Sequence, residues 1–129
     1  MLLDDLESYL APLLGGSPPV QKGFFQEIPD TAVALRETGG YASQHVMHGG
    51  LGGILDEPTV QVVTRAKDYQ TAMSLCRSLY LVLDGLRDTV LNGVTYNWIT
   101  AMQPPFFLMR DENHRFQCAF NVHIRRNVP

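Results

Sequence analysis

Apolar residues at Leu3, Leu6, Leu10, Leu13 and Leu14 recur at the spacing of one helical stripe, which predicts a helix from Leu2 to Leu14. Asp4, Asp5 and Glu7 stand in its first turns, where the partial positive charge of a helix start favours acids. Gly15-Gly16 and Pro18-Pro19 end it. A short run around Gly23 to Phe25 and a stretch from Thr31 to Thr38, with Pro29 between them, predict a β pair; in the second, Val33 and Leu35 alternate with Ala34 and Arg36. Gly39 to Gly53 holds so many glycines that ordering it would be entropically costly, so it is predicted to be a long loop carrying Tyr41, His45, Met47 and His48. After Pro58, the run Thr59 to Arg65 with Val60, Val62 and Val63 predicts a strand. Asp68 is placed to cap a helix from Tyr69 to about Leu86, in which Ala72, Met73, Cys76, Tyr80, Leu83 and Leu86 recur at helical spacing.

The last third alternates most clearly. Phe116, Cys118, Phe120, Val122 and Ile124 point to one side of a strand, and Arg115, Gln117, Asn121, His123 and Arg125 to the other, predicting one buried and one wet face. Upstream, Val94, Tyr96, Trp98 and Met102 alternate with Thr95, Asn97 and Ala101. Pro104-Pro105 then kinks the chain before Phe106 to Arg110, which places the kink at an edge or bulge, and Asp111 to His114 forms a polar turn between two antiparallel strands. Helix, short strands, strand, helix and long hairpin together predict an α+β fold: a largely antiparallel sheet packed against an N-terminal and a central helix.

Length and charge narrow the function. A chain of 129 residues fits one domain, 1–129, and its 45% hydrophobic and 18% charged residues suit a packed core. A net charge of −3 gives no general attraction for phosphates, and the pair Arg125-Arg126 reads as a solvated strand end. Cys76 and Cys118 sit at apolar positions and are expected to be reduced core residues. The start carries acids where a signal peptide would carry basic residues, and no segment approaches the roughly 20 apolar residues of a membrane span. Synthesis in a cytoplasm and no membrane partner are the expectations.

No reaction chemistry is gathered in the sequence. His45-x-x-His48 has a metal-compatible spacing but lacks nearby ligands to complete a shell, so no metal is expected. Gly49, Gly50, Gly52 and Gly53 are followed by Ile54-Leu55 rather than by Lys and a hydroxyl residue, which fails as a phosphate-binding loop. No G-x-S-x-G stands in the chain, and Asp111 and Glu112, adjacent in a turn, read as solvating charges. No catalytic residue and no cofactor are therefore expected. Phe106, Phe107, Leu108 and Met109 form an unbroken apolar run, so they either meet a partner or belong to a strand covered on both faces.

Three pieces of sequence resemble the phage minor capsid and tail terminator family of long-tailed bacteriophages. The first is Val60-Gln61-Val62-Val63 running into Arg65-Ala66-Lys67-Asp68-Tyr69, with Ala72, and a helix closing in Leu83-Asp84-Gly85-Leu86. The others are Pro29-Asp30 before Ala32 to Leu35 with Gly39-Gly40, and Pro104-Pro105-Phe106 leading to Arg110-Asp111-Glu112-Asn113. In this chain the motif residues serve the fold: Asp68 caps the helix, Gly85 ends it, and Tyr69 and Leu83 are expected on its buried stripe.

The resemblance implies a structural protein of the virion, forming a hexameric ring at the head-proximal end of the tail. Such a ring stops polymerisation of the tail tube and offers a surface for head-tail joining, with the major tail tube protein and head-tail connector proteins as partners. DNA would pass through it without sequence-specific binding. Assembly contacts are expected from Tyr41, His45, Met47, His48, Phe106, Phe107, Met109, Arg110, Asp111 and Glu112. The loop from His45 to Gly53 departs from the family pattern. Two alternatives are a neck or head-completion protein that binds the connector, and a small-ligand-binding α+β domain suggested by His45, His48 and the glycines.

Overall fold

The computed structural model describes residues 2–27, 29–45 and 54–128. Their order is α1 (Leu2–Leu13), β1 (Val20–Lys22), β2 (Ala32–His45), β3 (Ile54–Ala66), α2 (Tyr69–Leu83), β4 (Leu86–Leu91), β5 (Val94–Ala101), β6 (Phe106–Arg110) and β7 (Phe116–Val128). Among the described residues the strands form one sheet in the order β1-β2-β3-β7-β5-β4, with β6 also paired to β7. All pairs are antiparallel except β1 with β2. The fold is α+β, as the pattern predicts.

Both helices lie on one face of this sheet. Leu2, Leu6 and Leu10 of α1 and Ala72, Cys76, Leu79 and Leu83 of α2 join Val33, Leu35, Val60, Val62, Phe120, Val122 and Ile124 in one buried cluster. Leu13, expected on the stripe, is 57% exposed, because the buried stripe runs at four-residue spacing through Leu2, Leu6 and Leu10 to Leu14, which packs against the cluster, and leaves Leu13 to its side. Asp5 is buried instead of solvated: it accepts hydrogen bonds from the Tyr96 hydroxyl at 2.5 Å and Asn92 Nδ2 at 2.9 Å, which ties α1 to the β4–β5 hairpin.

The opposite face is not uniformly wet. Ala34, Val63 and Ala119 form a second small buried cluster, covered by Phe25, Phe106 and Leu108. Arg65, 2% exposed, reaches over this cluster. It donates to the carbonyls of Gln26 at 2.8 Å, Pro29 at 2.6 Å and Asp30 at 3.0 Å, and it stacks on Phe25 with 4.3 Å from guanidinium carbon to ring centroid. Arg115, also buried, donates to the Glu27 carbonyl. Two arginines thus satisfy the carbonyls of Gln26, Glu27, Pro29 and Asp30 and hold these residues against the sheet.

Several element boundaries differ from expectation. The first short strand is Val20–Lys22, not Gly23 to Phe25. The expected 39–53 loop is strand up to His45 and again from Ile54, so β2 and β3 form a long arm, with Pro58 inside β3. A bulge between Glu37 and Gly40 absorbs Gly39 and Gly40, and a second irregularity follows between Tyr41 and Gln44. Gly40 takes φ +135°, and an added Cβ would stand 2.5 Å from the Glu57 carbonyl oxygen, so glycine allows the arm's two backbones to approach.

α2 ends at Leu83 rather than near Leu86, because Gly85 at φ +87° turns the chain and donates its N–H to Ile99 O. Leu86 opens β4, a strand absent from the expected elements. Its connection to β5 is Asn92-Gly93, both at positive φ (50° and 80°), as a two-residue primed hairpin turn demands. A bulge between Tyr96 and Trp98 breaks the alternation read along β5, burying Tyr96 and Ile99, and Met102 lies beyond the strand. Past Pro104-Pro105 the chain resumes along the same edge of β7, so β5 and β6 lie end to end with the prolines at the break.

Candidate functional site

Tyr69, expected on the buried stripe, is 46% exposed, because as the first residue of α2 it lies at the margin of the sheet. Its ring lies 6.1 Å from both Phe107 and Phe116. Phe107, paired with Cys118, is 47% exposed on the helix-bearing face, whereas Phe106 and Leu108 turn to the opposite face and cover the second cluster; a bulge between Phe107 and Met109 sets Met109, also 47% exposed, opposite Gln117 on that second face. The apolar run therefore divides: Phe106 and Leu108 cover the second cluster, Phe107 joins Tyr69 and Phe116 in an exposed aromatic patch, and Met109 is exposed on the other face of the same edge strand. Among the described residues no strand pairs with the outer edge of β6, so the patch borders open backbone donors and acceptors.

Arg110 places its guanidinium 5.0 Å from the Phe116 ring, at the rim of that patch. Glu112 is exposed in the turn. Asp111 is not a solvating charge: it accepts from the backbone N–H groups of Asn113 and Arg115, each at 2.9 Å, and from Arg115 Nε at 2.8 Å. Burial alone would push its carboxyl up, but those donors outweigh it and hold the group below its ordinary value. Asp111 builds the β6–β7 turn, and Glu112 stands outward from it.

Asp68 caps α2, accepting from Thr71 N at 2.8 Å and Thr71 Oγ1 at 2.5 Å. Leu83 is fully buried and Gly85 terminates the helix; Asp68, Tyr69 and Gly85 are exposed, and of these only Tyr69 brings a large apolar side chain to the surface. Burial pushes the Cys76 thiol up to about 12 and raises that of Cys118, so both stay protonated in the interior.

A second exposed region lies on the outer face of the β2–β3–β7–β5 part of the sheet. Tyr41, 57% exposed, packs its ring 4.6 Å from His123, whose other side meets Trp98 edge-on at 4.7 Å. Glu57 lies 3.5 Å from His123 Nε2. Beside them Trp98, His123, Arg87, Thr100, Ala101 and Met102 line an open cleft of about 520 Å³. Trp98 and His123 were legible as residues of β5 and β7, but their meeting depends on register and on the β5 bulge. Arg126, read as solvated, is partly buried and pairs with Asp56 at 3.3 Å, so it belongs to the arm rather than to a phosphate-binding surface.

His45 is the last residue of β2, while Met47 and His48 lie outside the described residues. Among the described residues no three His, Cys, Asp or Glu side chains gather in a metal-holding group. Among the described residues no helix is long and apolar enough to cross a membrane.

Comparison with known proteins gives this geometry a context. The profile of the family described as bacteriophage tail terminator protein matches residues 9–128. No curated protein sequence matches. A chain in the solved virion of a native gene transfer agent particle shares the fold, with a TM-score of 0.58 and 17% identity over 96% of this chain and 90% of that one. The profile spans α2, the arm and the terminal hairpin, the same pieces that carry the resemblance in the sequence, and the chain accordingly belongs to the bacteriophage tail terminator family, structural proteins of the phage tail.

Proposed function

We propose that the protein closes into a hexameric ring on the head-proximal end of the tail tube, halts addition of tube subunits, and offers its other surface to the head-tail connector. The observation that carries this reading, beside family membership, is the exposure of Tyr69 and Phe107 on one face and of Met109 on the other along the open edge of β6. Apolar side chains next to unpaired strand backbone are a liability in a protein that works alone and suit one that is covered in its assembly. Tyr41, His45 and the turn with Arg110 and Glu112 complete the surfaces proposed to meet neighbours. The reading assigns the chain no catalysis and no cofactor.

Binding to purified tail tube protein and to purified connector, measured side by side, tests the assignment. The capping role predicts capture by tube ends, weakened when Phe107→Ser and Met109→Ser are combined. Capture by the connector with none by the tube would reassign the protein to the neck.

A further inference from the structure

The most exposed large apolar side chain among the described residues is Phe24, at 84%. Its segment is firmly held. Gly23 N donates to Leu35 O at 2.7 Å, Arg36 Nε donates to Gly23 O at 2.9 Å, and Gln26 N donates to Gln21 Oε1 at 2.8 Å. Phe25, the next residue, is pinned beneath Arg65, and Arg65 and Arg115 bind the carbonyls that follow. A phenylalanine displayed on so restrained a segment loses little further freedom on binding, which is the property of a pre-organised interface anchor.

The cleft of Trp98, Met102 and His123 is its counterpart. It opens on the same outer face as the Phe24 segment, at the opposite end of the sheet: Phe24 follows β1, the first strand in the sheet order, and the cleft sits over β7, β5 and β4, the last three. A side chain at one end and a receptacle at the other cannot satisfy each other within one molecule, but they can between successive copies. Contacts of this kind, using two different surfaces, propagate round a ring. The charges agree: Glu27 is exposed three residues from Phe24, and Arg87 is exposed on the wall of the cleft.

We infer that Phe24 of one copy inserts into the Trp98–Met102–His123 cleft of the next copy, with Glu27 meeting the neighbour's Arg87. This contact rests on the reading of the chain as a ring-former and specifies one interface of that ring.

Sedimentation of the purified full chain over a concentration series tests it, with the emission of Trp98, the single tryptophan, recorded in parallel. Wild type is expected to associate with a blue shift, as the cleft loses water. Phe24→Ser and Met102→Glu, both at exposed positions, should keep the far-ultraviolet circular dichroism of the wild type and weaken association by roughly tenfold or more, the effect of losing an anchor residue. Mixed together, the two variants regain one intact contact and should form pairs that do not grow. Charge reversal gives an independent check: Glu27→Arg should weaken association, and adding Arg87→Glu in the same chain should restore it. If wild type associates and Phe24→Ser associates equally well, the contact is elsewhere, and the ring reading survives without it. A wild-type chain that stays single up to its solubility limit overturns the contact and, with it, self-closure of the ring.

Discussion

At the scale of single residues, buried polar groups are the main departure from a simple amphipathic picture. Arg65 is buried over the Phe25 ring with the backbone carbonyls of Gln26, Pro29 and Asp30 as further partners, and burial lowers its affinity for the proton without removing its charge. Arg65→Met should leave those carbonyls without donors and destabilise the fold by roughly 3 kcal/mol, measured by urea unfolding. Asp111 gives a pH-dependent counterpart. Its carboxyl titrates below the ordinary value in the folded chain, so the stability it contributes is complete above about pH 4 and is lost as pH falls through the lowered value. Asp111→Asn should therefore be less stable than wild type at neutral pH, with the difference shrinking in acid; a difference independent of pH would show that the carboxylate charge is irrelevant to the turn.

At the scale of elements, the sequence was legible wherever one periodicity ran unbroken and the turn chemistry was simple. α1, the start of α2 at Asp68, the β6–β7 turn and the alternation of β7 follow from that rule. β4 was missed although Asn92-Gly93 is a strong hairpin signal, because Arg87, Asp88 and Thr89 dilute the apolar pattern of an edge strand. The 39–45 and 54–58 segments looked like loop because glycine and proline were taken as breakers, whereas the bulge between Glu37 and Gly40 lets β2 pass its glycines and stay paired. The buried roles of Asp5, Arg65 and Arg115 were not legible, since each depends on a partner far away in sequence. Of the candidate surface, the exposure of Tyr41, Phe107 and Met109 agrees with their apolar character in polar or edge positions, while the Tyr41–His123–Trp98 stack appears only once β2, β7 and β5 are in register. The arm makes its own prediction. Gly40→Ala should clash with the Glu57 carbonyl and cost about 1–3 kcal/mol of backbone strain, raising amide hydrogen exchange in 41–45 and 54–58 more than in α2.

At the scale of the whole molecule, the two sheet faces divide the work. One is filled by both helices and supplies the core. The other is covered over Ala34, Val63 and Ala119 and along the buried Arg65, Arg115 and Gln117, and leaves Tyr41, Trp98 and the cleft open to a neighbour. Together with the β6 edge patch, this surface layout belongs to a protein completed by its assembly, which is the central claim for this member of the tail terminator family. Electron microscopy of particles from a phage lacking this gene tests that claim most directly. The account predicts tails of uncontrolled length that are not joined to heads, with both defects restored by supplying the chain; tails of normal length on filled heads would contradict it.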